Sequence, residues 1–520
     1  MLLNLTSMTL SRKNLPLIRS RPELTMPDQN VFSLPEKVLQ FGTGVLLRGL
    51  PDYFIDKANR QNIFNGRIIV VKSTAAHGAD AFSQQDGLYT ICIRGIENGQ
   101  SLKEDIINSS VSRVLYALSH WQEVLDCAPD RNLQVILSNT TEVGIVLDKD
   151  DQIDASPPRS FPGKLLAFLY KRYCAFNGDA GAGMVIIPTE LIPGNGEKLL
   201  AIVEQLANIN KLEHQFIEWL KKSNWFCNSL VDRIVPGKPP QAMQAKTEQE
   251  NGYEDELMIM SEVYRLWAIE TSEPKVIDIL SFSKADSGVV IAGDIEVYRE
   301  LKLRLLNGAH TFSCGLAHLA GFATVKEAMG DAAFSIFINK LMMEEIAPAI
   351  TSDAISLNDA TSFAAKVLDR FRNPYIEHQW LSITMQYSSK IKTRTLPIIQ
   401  NFLQRFHSVP ECISIGLAAH LLFMRCEEDV DGKFYGELNG IKYVVNDDNA
   451  AVYADKWKAA DTSGGLVRSI FSDQSLWGQD LSQHGDLLNA ITTKLQELSD
   501  KGATIAIGKY AQPAKPAEII

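Results

Sequence analysis

Apolar positions follow different periodicities in the two halves of the chain. Up to about residue 295, short β-rich runs alternate with runs of helical spacing, and beyond it the helical spacing continues almost to the end. The run 67–74 (RIIVVKST) holds consecutive apolar residues, as a strand buried on both faces does. Strands that alternate with helices favour a parallel, doubly wound sheet. We therefore predict an α/β fold with this sheet in residues 31–295 and a mainly α-helical second half in residues 296–520.

The same pattern predicts individual elements. Residues 1–30 precede the first strand and are interpreted as a leader. The other predictions, in chain order, are a strand over 37–42, a helix over 45–61 that contains Pro51, a hairpin that turns at Asn98 and Gly99, helices over 161–176 and 195–209, a loop over 236–256 and a strand over 275–283. The loop prediction depends on the many polar and proline residues of that segment.

Length and charge narrow the range of functions. The chain has 520 residues, too many for one hydrophobic core, and a net charge of −11, which argues against nucleic acid as a partner. No stretch reaches about 18 consecutive apolar residues, so we expect no transmembrane helix. The first residues lack a basic stretch followed by a long apolar run, and the seven cysteines include no CxxC pair. We therefore expect a cytoplasmic protein without a disulfide framework.

A glycine pair lies between the first predicted strand and the first predicted helix. Gly42 and Gly44 form a GxG, which lets the backbone turn tightly and approach the pyrophosphate of a dinucleotide. Position 47 is leucine, so the third glycine of GxGxxG is absent and a plain turn is the alternative. The position after the first strand favours a Rossmann-type domain. The predicted cofactor-binding residues here are Phe41, Gly42, Thr43, Gly44, Val45 and Arg48, the last placed either to reach a phosphate or to cap a neighbouring strand.

The end of the second strand bears on the choice of cofactor. An acidic residue commonly binds the adenosine ribose at this point, but the strand ends in Lys72, Ser73 and Thr74. Lys72 is placed to contact a 2′-phosphate, which would indicate NADP, or it is a surface residue. The residues alone leave NAD and NADP both open.

Three candidate functional residues lie in a strongly apolar helical stretch of the second half. The segment 300–312 (ELKLRLLNGAHTF) carries Lys302, Asn307 and His310. On an α-helix Asn307 lies about 140° from Lys302 and His310 about 80° from it, so all three can line one cavity. A lysine among leucines suits proton transfer, because burial disfavours its charged form, and an amide and an imidazole can orient a substrate oxygen. A surface lysine beside a helix-interior asparagine and histidine is the alternative.

The spacing of Lys302, Asn307 and His310 resembles the KxxxxNxxH signature of the polyol-specific long-chain dehydrogenase/reductase family, which includes mannitol dehydrogenase and the hexuronate reductases. Other blocks that resemble this family follow in the same order after residue 35. These blocks are FGTGVLLRG (41–49), SNTTEVGI (138–145), CNSLVDRIVPG (227–237) and RFRNPYIEHQWLSITMQYSSKIKTRTLP (370–397). The resemblance is greatest to the hexuronate reductase branch.

The resemblance implies a fold and a chemistry. It implies a Rossmann-type N-terminal domain, a helical C-terminal domain, a site in the cleft between them, and metal-independent hydride transfer. It assigns general acid/base catalysis to Lys302 and substrate orientation to Asn307 and His310. The expected reaction is the reversible reduction of the keto group of a hexuronate with NADH, because this branch uses NAD. A different hexuronate or a mannitol-type polyol is the alternative substrate, and no protein partner is implied.

The sequence departs from the mannitol-type pattern at two positions. Leu191 stands where those members have an asparagine, and Asn195 is a nearby candidate to replace it in substrate binding. Ser382 stands where polyol-type members have an arginine, eight residues before Lys390. Lys390 matches the substrate-contacting lysine of the family, so we expect it to bind substrate. The change at Ser382 predicts altered recognition of the distal end of the substrate, as a change from polyol to uronate requires.

Further candidates lie in the block 370–397. Lys392 and Arg394 add cations for a carboxylate, with a solvated basic strip as the alternative. His378 is a candidate pocket residue.

Overall fold

The structure of the protein, a computed structural model, describes residues 8–74, 80–140 and 144–511. The chain divides into two compact units, the first formed by Met1–Gly95 and Gln100–Ile295 and the second by Ile96–Gly99 and Glu296–Ile520. No helix among the described residues is long and apolar enough to cross a membrane.

The strands up to residue 295 are β1 (Leu24–Thr25), β2 (Glu36–Phe41), β3 (Arg67–Lys72), β4 (Tyr89–Glu97), β5 (Gln100–Asn108), β6 (Val111–Tyr116), β7 (Val135–Ser138), β8 (Val185–Pro188), β9 (Trp225–Phe226), β10 (Ser229–Asp232), β11 (Ile259–Glu262), β12 (Leu266–Glu270) and β13 (Val289–Ala292). The α-helices of this part are α1 (Val45–Gly49), α2 (Pro51–Arg60), α3 (Ala81–Gln84), α4 (Ala117–Leu125), α5 (Phe161–Ala175), α6 (Asn195–Ile209), α7 (His214–Ser223), α8 (Gln241–Asn251) and α9 (Pro274–Ile279).

A six-stranded parallel sheet organises the first unit. Its strand order is β6-β3-β2-β7-β8-β9, and every pair in it is parallel. Successive side chains of β3 enter different cores, since Ile68 and Val70 join one hydrophobic cluster and Ile69 and Val71 join another. Both faces are therefore covered, which explains the consecutive apolar residues of the strand. This order is that of a doubly wound dinucleotide-binding sheet, so the predicted fold class is confirmed.

One local prediction succeeds at the first hairpin, and one fails in part after the glycine pair. The turn between β4 and β5 uses Asn98 and Gly99 with φ of 52° and 74°, the primed geometry that suits a hairpin. The helix predicted over 45–61 is two helices, because Leu50 has φ −130° and ψ −74°. The proline at position 51 disfavours a helical conformation at the preceding residue and begins α2 instead.

Two predicted elements are wrong in type. The segment 236–256, expected to be a loop, contains helix α8, which ends at Gly252 with φ 79°. Its alanine, lysine, glutamine and glutamate residues are good helix formers, and the glycine caps the end. The segment 275–283, expected to be a strand, contains helix α9. Proline at the first turn starts that helix, and Val276 and Leu280, four residues apart, are both fully buried.

The first described residues are part of the first unit, so the interpretation of 1–30 as a leader is wrong for residues 8–30. Strand β1 pairs in parallel with β5, and the amide of Leu10 donates to the carbonyl of Glu254 at 2.9 Å. This segment contributes Leu10, Leu15, Ile18 and Leu24 to a hydrophobic cluster with Leu88, Ile107 and Tyr253.

The second unit is mainly helical, as predicted. Its α-helices are α10 (Glu296–Leu301), α11 (Ala309–Leu319), α12 (Val325–Gly330), α13 (Ala332–Lys340), α14 (Ala347–Ala349), α15 (Leu357–Phe371), α16 (Trp380–Ile383), α17 (Tyr387–Lys390), α18 (Leu396–Phe406), α19 (Glu411–Phe423), α20 (Ala450–Ala459), α21 (Ser463–Phe471), α22 (Gln474–Trp477), α23 (Gly485–Lys501) and α24 (Ala503–Gly508). Its antiparallel strands are β14 (Glu427–Glu428), β15 (Phe434–Leu438) and β16 (Ile441–Val444). Its π-helical turns span Lys302–Gly308, Leu341–Ile346 and Ile391–Thr395.

Helices α11 and α19 approach each other at glycines. A Cβ at Gly315 of α11 would lie 3.1 Å from the carbonyl oxygen of Ala419, and one at Gly416 of α19 would lie 2.6 Å from that of Phe312. The distance at Gly416 is too short for a side chain and that at Gly315 is tighter than most Cβ contacts, so each glycine lets the backbone of the other helix come close.

Asp52 is a buried carboxyl on helix α2. Burial raises its pKa to about 7, although the hydroxyl of Tyr89 donates to it at 3.0 Å. In the unfolded chain its pKa is near 3.8. The folded state therefore holds this proton more tightly, and the stabilisation that it contributes at low pH is lost as the pH rises through about 7.

We predict that Asp52→Asn raises the free energy of unfolding at pH 8, because a neutral amide carries no charge into the buried site. At pH 5, where the folded wild-type carboxyl is protonated, the gain should be smaller. Urea denaturation at the two pH values measures both differences. A gain at pH 5 equal to or larger than that at pH 8 would contradict the raised pKa.

Candidate active site

The glycine loop follows β2 in the first unit. Gly42 has φ +122°, and a Cβ there would lie 3.1 Å from Cδ1 of Leu47 and 3.2 Å from the carbonyl oxygen of Asn139. Gly44 is exposed, and a Cβ on it would meet no atom within 4 Å. The backbone conformation at position 42 therefore requires glycine, and open space lies over Gly44. A phosphate group can approach the backbone there.

A cavity of about 520 Å³ lies at the carboxyl ends of the parallel strands, where doubly wound sheets bind ligands. Its lining residues, all in the first unit, are Phe41, Gly42, Val71, Ser73, Ala117, Asn139, Thr140, Gly144, Val146, Asp148, Arg159, Ser160, Phe161 and Lys164. The cavity runs from the glycine loop to the end of β3, so its location and size fit a nicotinamide dinucleotide.

The residues predicted to bind the cofactor at this loop fall into two groups, those at the cavity and Arg48, which caps a strand. Phe41 and Gly42 line the cavity, while Thr43 and Val45 are half-buried beside it in the chain. The guanidinium of Arg48 donates to the carbonyl of Leu257 at 2.7 Å, just before strand β11. This contact matches the strand-capping alternative and gives Arg48 a structural partner.

Lys72 has an acidic partner that comes from eight residues later in the chain. Its Nζ lies 3.3 Å from Oδ2 of Asp80, and the hydroxyl of Tyr116 donates to the same carboxylate. Lys72 is therefore neither an isolated surface lysine nor an unpaired cation.

The segment with Lys302, Asn307 and His310 is not the regular α-helix on which their predicted angles depended. Residues Lys302–Gly308 form a π-helical turn, and the α-helix resumes at Ala309. A π-helix bonds each residue to the one five positions away, so residues spaced by five lie closer in angle than they do on an α-helix. Lys302 and Asn307 have this spacing. The turn therefore brings these two residues nearer to one side than the roughly 140° that separates them on an α-helix. Such turns occur frequently at functional sites.

Side-chain donors bond to backbone carbonyls in this turn and in a second one. The hydroxyl of Thr311 donates to the carbonyl of Asn307 at 2.7 Å. Arg304, within the turn, donates from Nη1 to the carbonyls of Thr393 and Arg394, both at 2.9 Å, and Glu300 holds its Nε at 2.9 Å. Arg304 thereby ties the turn 302–308 to the second π-helical turn, Ile391–Thr395, since carbonyls freed in irregular backbone need donors.

The two π-helical turns also pack closely. A Cβ at Gly308 would lie 3.1 Å from Cδ1 of Ile398 and 3.9 Å from the carbonyl oxygen of Arg394. Glycine at this position therefore sets how near the Lys302 turn lies to helix α18 and to the cations that precede it.

His310 is a buried, neutral imidazole. Its ring stacks on Phe371 with centroids 4.1 Å apart, and Trp380 and His378 contact it edge-on at 5.9 and 5.2 Å. Burial lowers the pKa of His310 well below its usual value, and nearby cations lower it further. Nε2 is buried and has no hydrogen-bond partner among the described residues. A neutral ring with an unused nitrogen can bond to a substrate oxygen.

Positively charged side chains lie near His310. Arg370, Arg394 and Lys390 each lower its pKa by repulsion, and so does His378, whose own pKa is lowered by burial. Lys390 donates to the carbonyl of Ile383 at 2.9 Å, and burial followed by the charge of Arg394 lowers the pKa of Lys390.

The guanidinium of Arg394 has no ion pair or hydrogen bond within the described ranges. It is half-buried, and burial lowers its pKa. A half-buried, unpaired guanidinium close to other cations is a site for an anion.

Asn195, predicted as a substrate-binding replacement, is contradicted by its surroundings. The residue is fully buried at the start of α6. Its Nδ2 donates to the carbonyls of Pro188, Glu190 and Ser229 at 3.0–3.1 Å, and Oδ1 accepts from the amide of Ser229 at 2.9 Å. These hydrogen bonds join β8, α6 and β10 and leave the side chain unable to bind substrate, because buried polar groups must form hydrogen bonds within the fold.

Several contacts around the candidate site escaped the sequence prediction for different reasons. Glu300 and Arg304 form an i,i+4 ion pair that the spacing alone could have indicated. The carbonyl of Thr393, to which Arg304 donates, lies nearly ninety residues later, so no local sequence pattern indicates this contact. The pairing of Lys72 with Asp80 likewise depends on the fold of the chain between them and not on a motif.

Comparisons with known proteins identify the family. The mannitol dehydrogenase Rossmann domain matches residues 36–279, and the mannitol dehydrogenase C-terminal domain matches residues 294–499. The altronate oxidoreductase of Bacillus subtilis (strain 168) is 37% identical over 479 residues, which cover 92% of this chain and 95% of that protein. The chain belongs to the mannitol dehydrogenase family. The altronate oxidoreductase of Yersinia enterocolitica is also 37% identical, over 92% of this chain and 98% of its own length.

Solved structures of mannitol dehydrogenase type share the fold. Pseudomonas fluorescens mannitol 2-dehydrogenase, in a ternary complex with NAD and D-mannitol, has a TM-score of 0.64 at 22% identity and covers 97% of this chain and all of its own. A substrate-free D-sorbitol dehydrogenase has a TM-score of 0.75 at 19% identity and covers 96% of this chain and all of its own.

The family predicted from the KxxxxNxxH spacing and its companion blocks is confirmed. The signature itself lies in the part matched by the mannitol dehydrogenase C-terminal domain, and the glycine loop lies in the part matched by the Rossmann domain. Residues 141–143 of the block 138–145 lie outside the described residues.

We predict that Arg304→Ala lowers kcat about tenfold or more while the protein still folds, because the loss of the tie between the π-helical turns misplaces Lys302 and Asn307. Arg405→Ala is the matched control. Arg405 also donates to backbone carbonyls of the second unit, those of Pro348 and Thr351, but not to a π-helical turn. Thermal unfolding and steady-state kinetics of both variants provide the test. Equal kcat losses in the two variants would contradict this role of Arg304.

Proposed function

We propose that the protein is an NAD(H)-dependent hexuronate reductase that interconverts tagaturonate and altronate. Relatives named altronate oxidoreductase at 37% identity over 92% of the chain support the reaction. The observation that carries the substrate class is the group of cations around His310, with Arg394 unpaired among the described residues. A hexuronate differs from a neutral polyol in its carboxylate, and this group supplies the complementary charge.

The first unit binds the cofactor in this proposal. The conformation of Gly42 and the open space over Gly44 accommodate the pyrophosphate. The nicotinamide ring, when bound, donates or accepts the hydride. Phe41 and Phe161 border the cavity with rings 5.2 Å apart and keep that part of it apolar.

The π-helical turn of the second unit supplies the proton chemistry. Lys302 donates a proton from Nζ to the substrate oxygen during reduction and removes it during oxidation. Asn307 orients the same oxygen through its side-chain amide, which no described residue engages. His310 stays uncharged because burial and neighbouring cations lower its pKa, so it contributes a hydrogen bond without adding positive charge beside Lys302.

The carboxylate of the substrate binds to cations on the second π-helical turn. Arg394 offers two parallel N–H donors, which match the two oxygens of a carboxylate. Lys390 adds charge from the preceding turn of helix, although its amine also holds the carbonyl of Ile383. We leave Lys392 out of this site, because its Nζ lies 3.4 Å from the position of a Cβ on Gly478, at the end of helix α22.

We predict faster oxidation of NADH with tagaturonate than with fructuronate, and slower oxidation still with fructose, which lacks a carboxylate. Arg394→Gln should raise KM for tagaturonate about tenfold to a hundredfold, since it removes a charged hydrogen-bonding partner, and should change KM for fructose little. Absorbance at the nicotinamide band follows every reaction.

Lys392→Gln is the matched control for that series, because it removes a cation two residues away that is not placed in the site. Faster turnover with fructose than with either uronate would contradict the hexuronate assignment. No NADH oxidation with any keto sugar, in a protein that binds NADH, would instead indicate a cofactor-binding sensor without catalytic activity.

We predict that Lys302→Ala lowers kcat by about 10²-fold to 10⁴-fold, the usual contribution of a positioned proton donor. NADH binding, measured by quenching of tryptophan fluorescence, should persist, since Lys302 lies in the second unit. A variant that keeps the full rate at neutral pH would contradict the proton-transfer role.

A further inference from the structure

The end of strand β3 carries a cluster of three side chains, Lys72, Asp80 and Tyr116. Nζ of Lys72 lies 3.3 Å from Oδ2 of Asp80 and 5.3 Å from the ring centre of Tyr116. The hydroxyl of Tyr116 donates to Oδ2 of Asp80. Lys72 and Tyr116 are register partners on adjacent parallel strands, so the sheet itself holds two of the three members together.

The cluster lies beside the cofactor cavity. Val71 and Ser73, the neighbours of Lys72, both line it, and so does Ala117, the neighbour of Tyr116. The end of the strand next to the glycine-loop strand is where doubly wound sheets recognise the adenosine ribose. Here β3 is that strand, because it pairs with β2 in parallel.

Asp80 is held in place by the backbone. It is the N-cap of α3, and its Oδ1 accepts from the amide of Ser83 at 3.1 Å. Its side chain is 19% exposed and that of Lys72 is 29% exposed, so both remain accessible from the solvent side. A carboxylate has about four acceptor positions, so Asp80 can accept a further hydrogen bond in addition to those from Lys72, Tyr116 and Ser83.

We propose that Asp80 makes the protein select NAD(H) over NADP(H). Its carboxylate cancels the charge of Lys72. It also accepts hydrogen bonds from the ribose hydroxyls, in place of the acidic residue that is absent from the end of β3. A 2′-phosphate adds a charge of about −1.5 to −2 at neutral pH, and it would meet an ion pair without net charge instead of a lone lysine. The pair offers the added phosphate no net attraction, and its carboxylate is a poor neighbour for another anion. This inference depends on the proposed use of a nicotinamide dinucleotide and identifies a residue that determines the choice.

The test measures the dissociation constants of NADH and NADPH by fluorescence quenching, without any sugar acid. We expect wild-type protein to prefer NADH. Asp80→Asn should lower the ratio of the NADPH to the NADH dissociation constant about tenfold or more, because Lys72 becomes an unpaired cation for the 2′-phosphate. Lys72→Ala should raise that ratio. The double variant Asp80→Asn with Lys72→Ala should lose the gain in NADPH affinity.

Asp179→Asn is the matched control. Asp179 also lies in the first unit, caps a short helix through the amide of Gly181 and pairs with Arg131, yet it does not border the cavity. It should leave the ratio unchanged, and Asp80→Glu should largely restore the preference for NADH. Thermal unfolding confirms that each variant is folded.

An unchanged ratio in folded Asp80→Asn, or a gain that survives in the double variant, would overturn the role of Asp80. If Asp80→Asn does not fold, Lys72→Ala decides the question, since a ratio that falls in that variant also overturns it. Wild-type protein that binds neither nucleotide would contradict the proposed function itself. The two failures are therefore distinguishable.

Discussion

Backbone carbonyls left without helical partners are the constraint on which the second unit depends. A π-helical turn brings Lys302 and Asn307 nearer to one side than an α-helix does, but irregular backbone must find new donors for its carbonyls. Arg304 is such a donor, because its guanidinium donates to the backbone carbonyls of Thr393 and Arg394. The same guanidinium that satisfies the backbone therefore fixes the distance between the proposed proton donor and the proposed carboxylate site.

The two units divide the chemistry by the type of structure that each offers. The parallel sheet of the first unit gathers loop ends at one edge, where glycines and short polar side chains suit a dinucleotide. The helical unit supplies long side chains, and burial among aromatic rings keeps His310 neutral while cations gather around it. Charge is thus concentrated in the unit proposed to bind the sugar acid.

The sequence predicted features that depend on local periodicity and on ordered motifs. Strand β3, helix α6 and the Asn98–Gly99 turn follow from residue patterns, and the family follows from spaced blocks. The predictions from the sequence failed where contacts between distant parts of the chain determine the local structure. Segment 275–283 has strand-like residues, but a proline start and helical burial make it a helix. The π-helical turn, the burial of Asn195 and the pairing of Lys72 with Asp80 all depend on contacts between residues that share no local pattern.

The close crossing of α11 and α19 has a consequence for how this protein can vary. Gly315 and Gly416 bring the backbones of the two helices into direct contact, so their separation is fixed by main-chain atoms. A side chain larger than hydrogen at position 416 would collide with the carbonyl of Phe312, on the helix that also carries His310. A substitution more than a hundred residues from the KxxxxNxxH segment would therefore displace the imidazole.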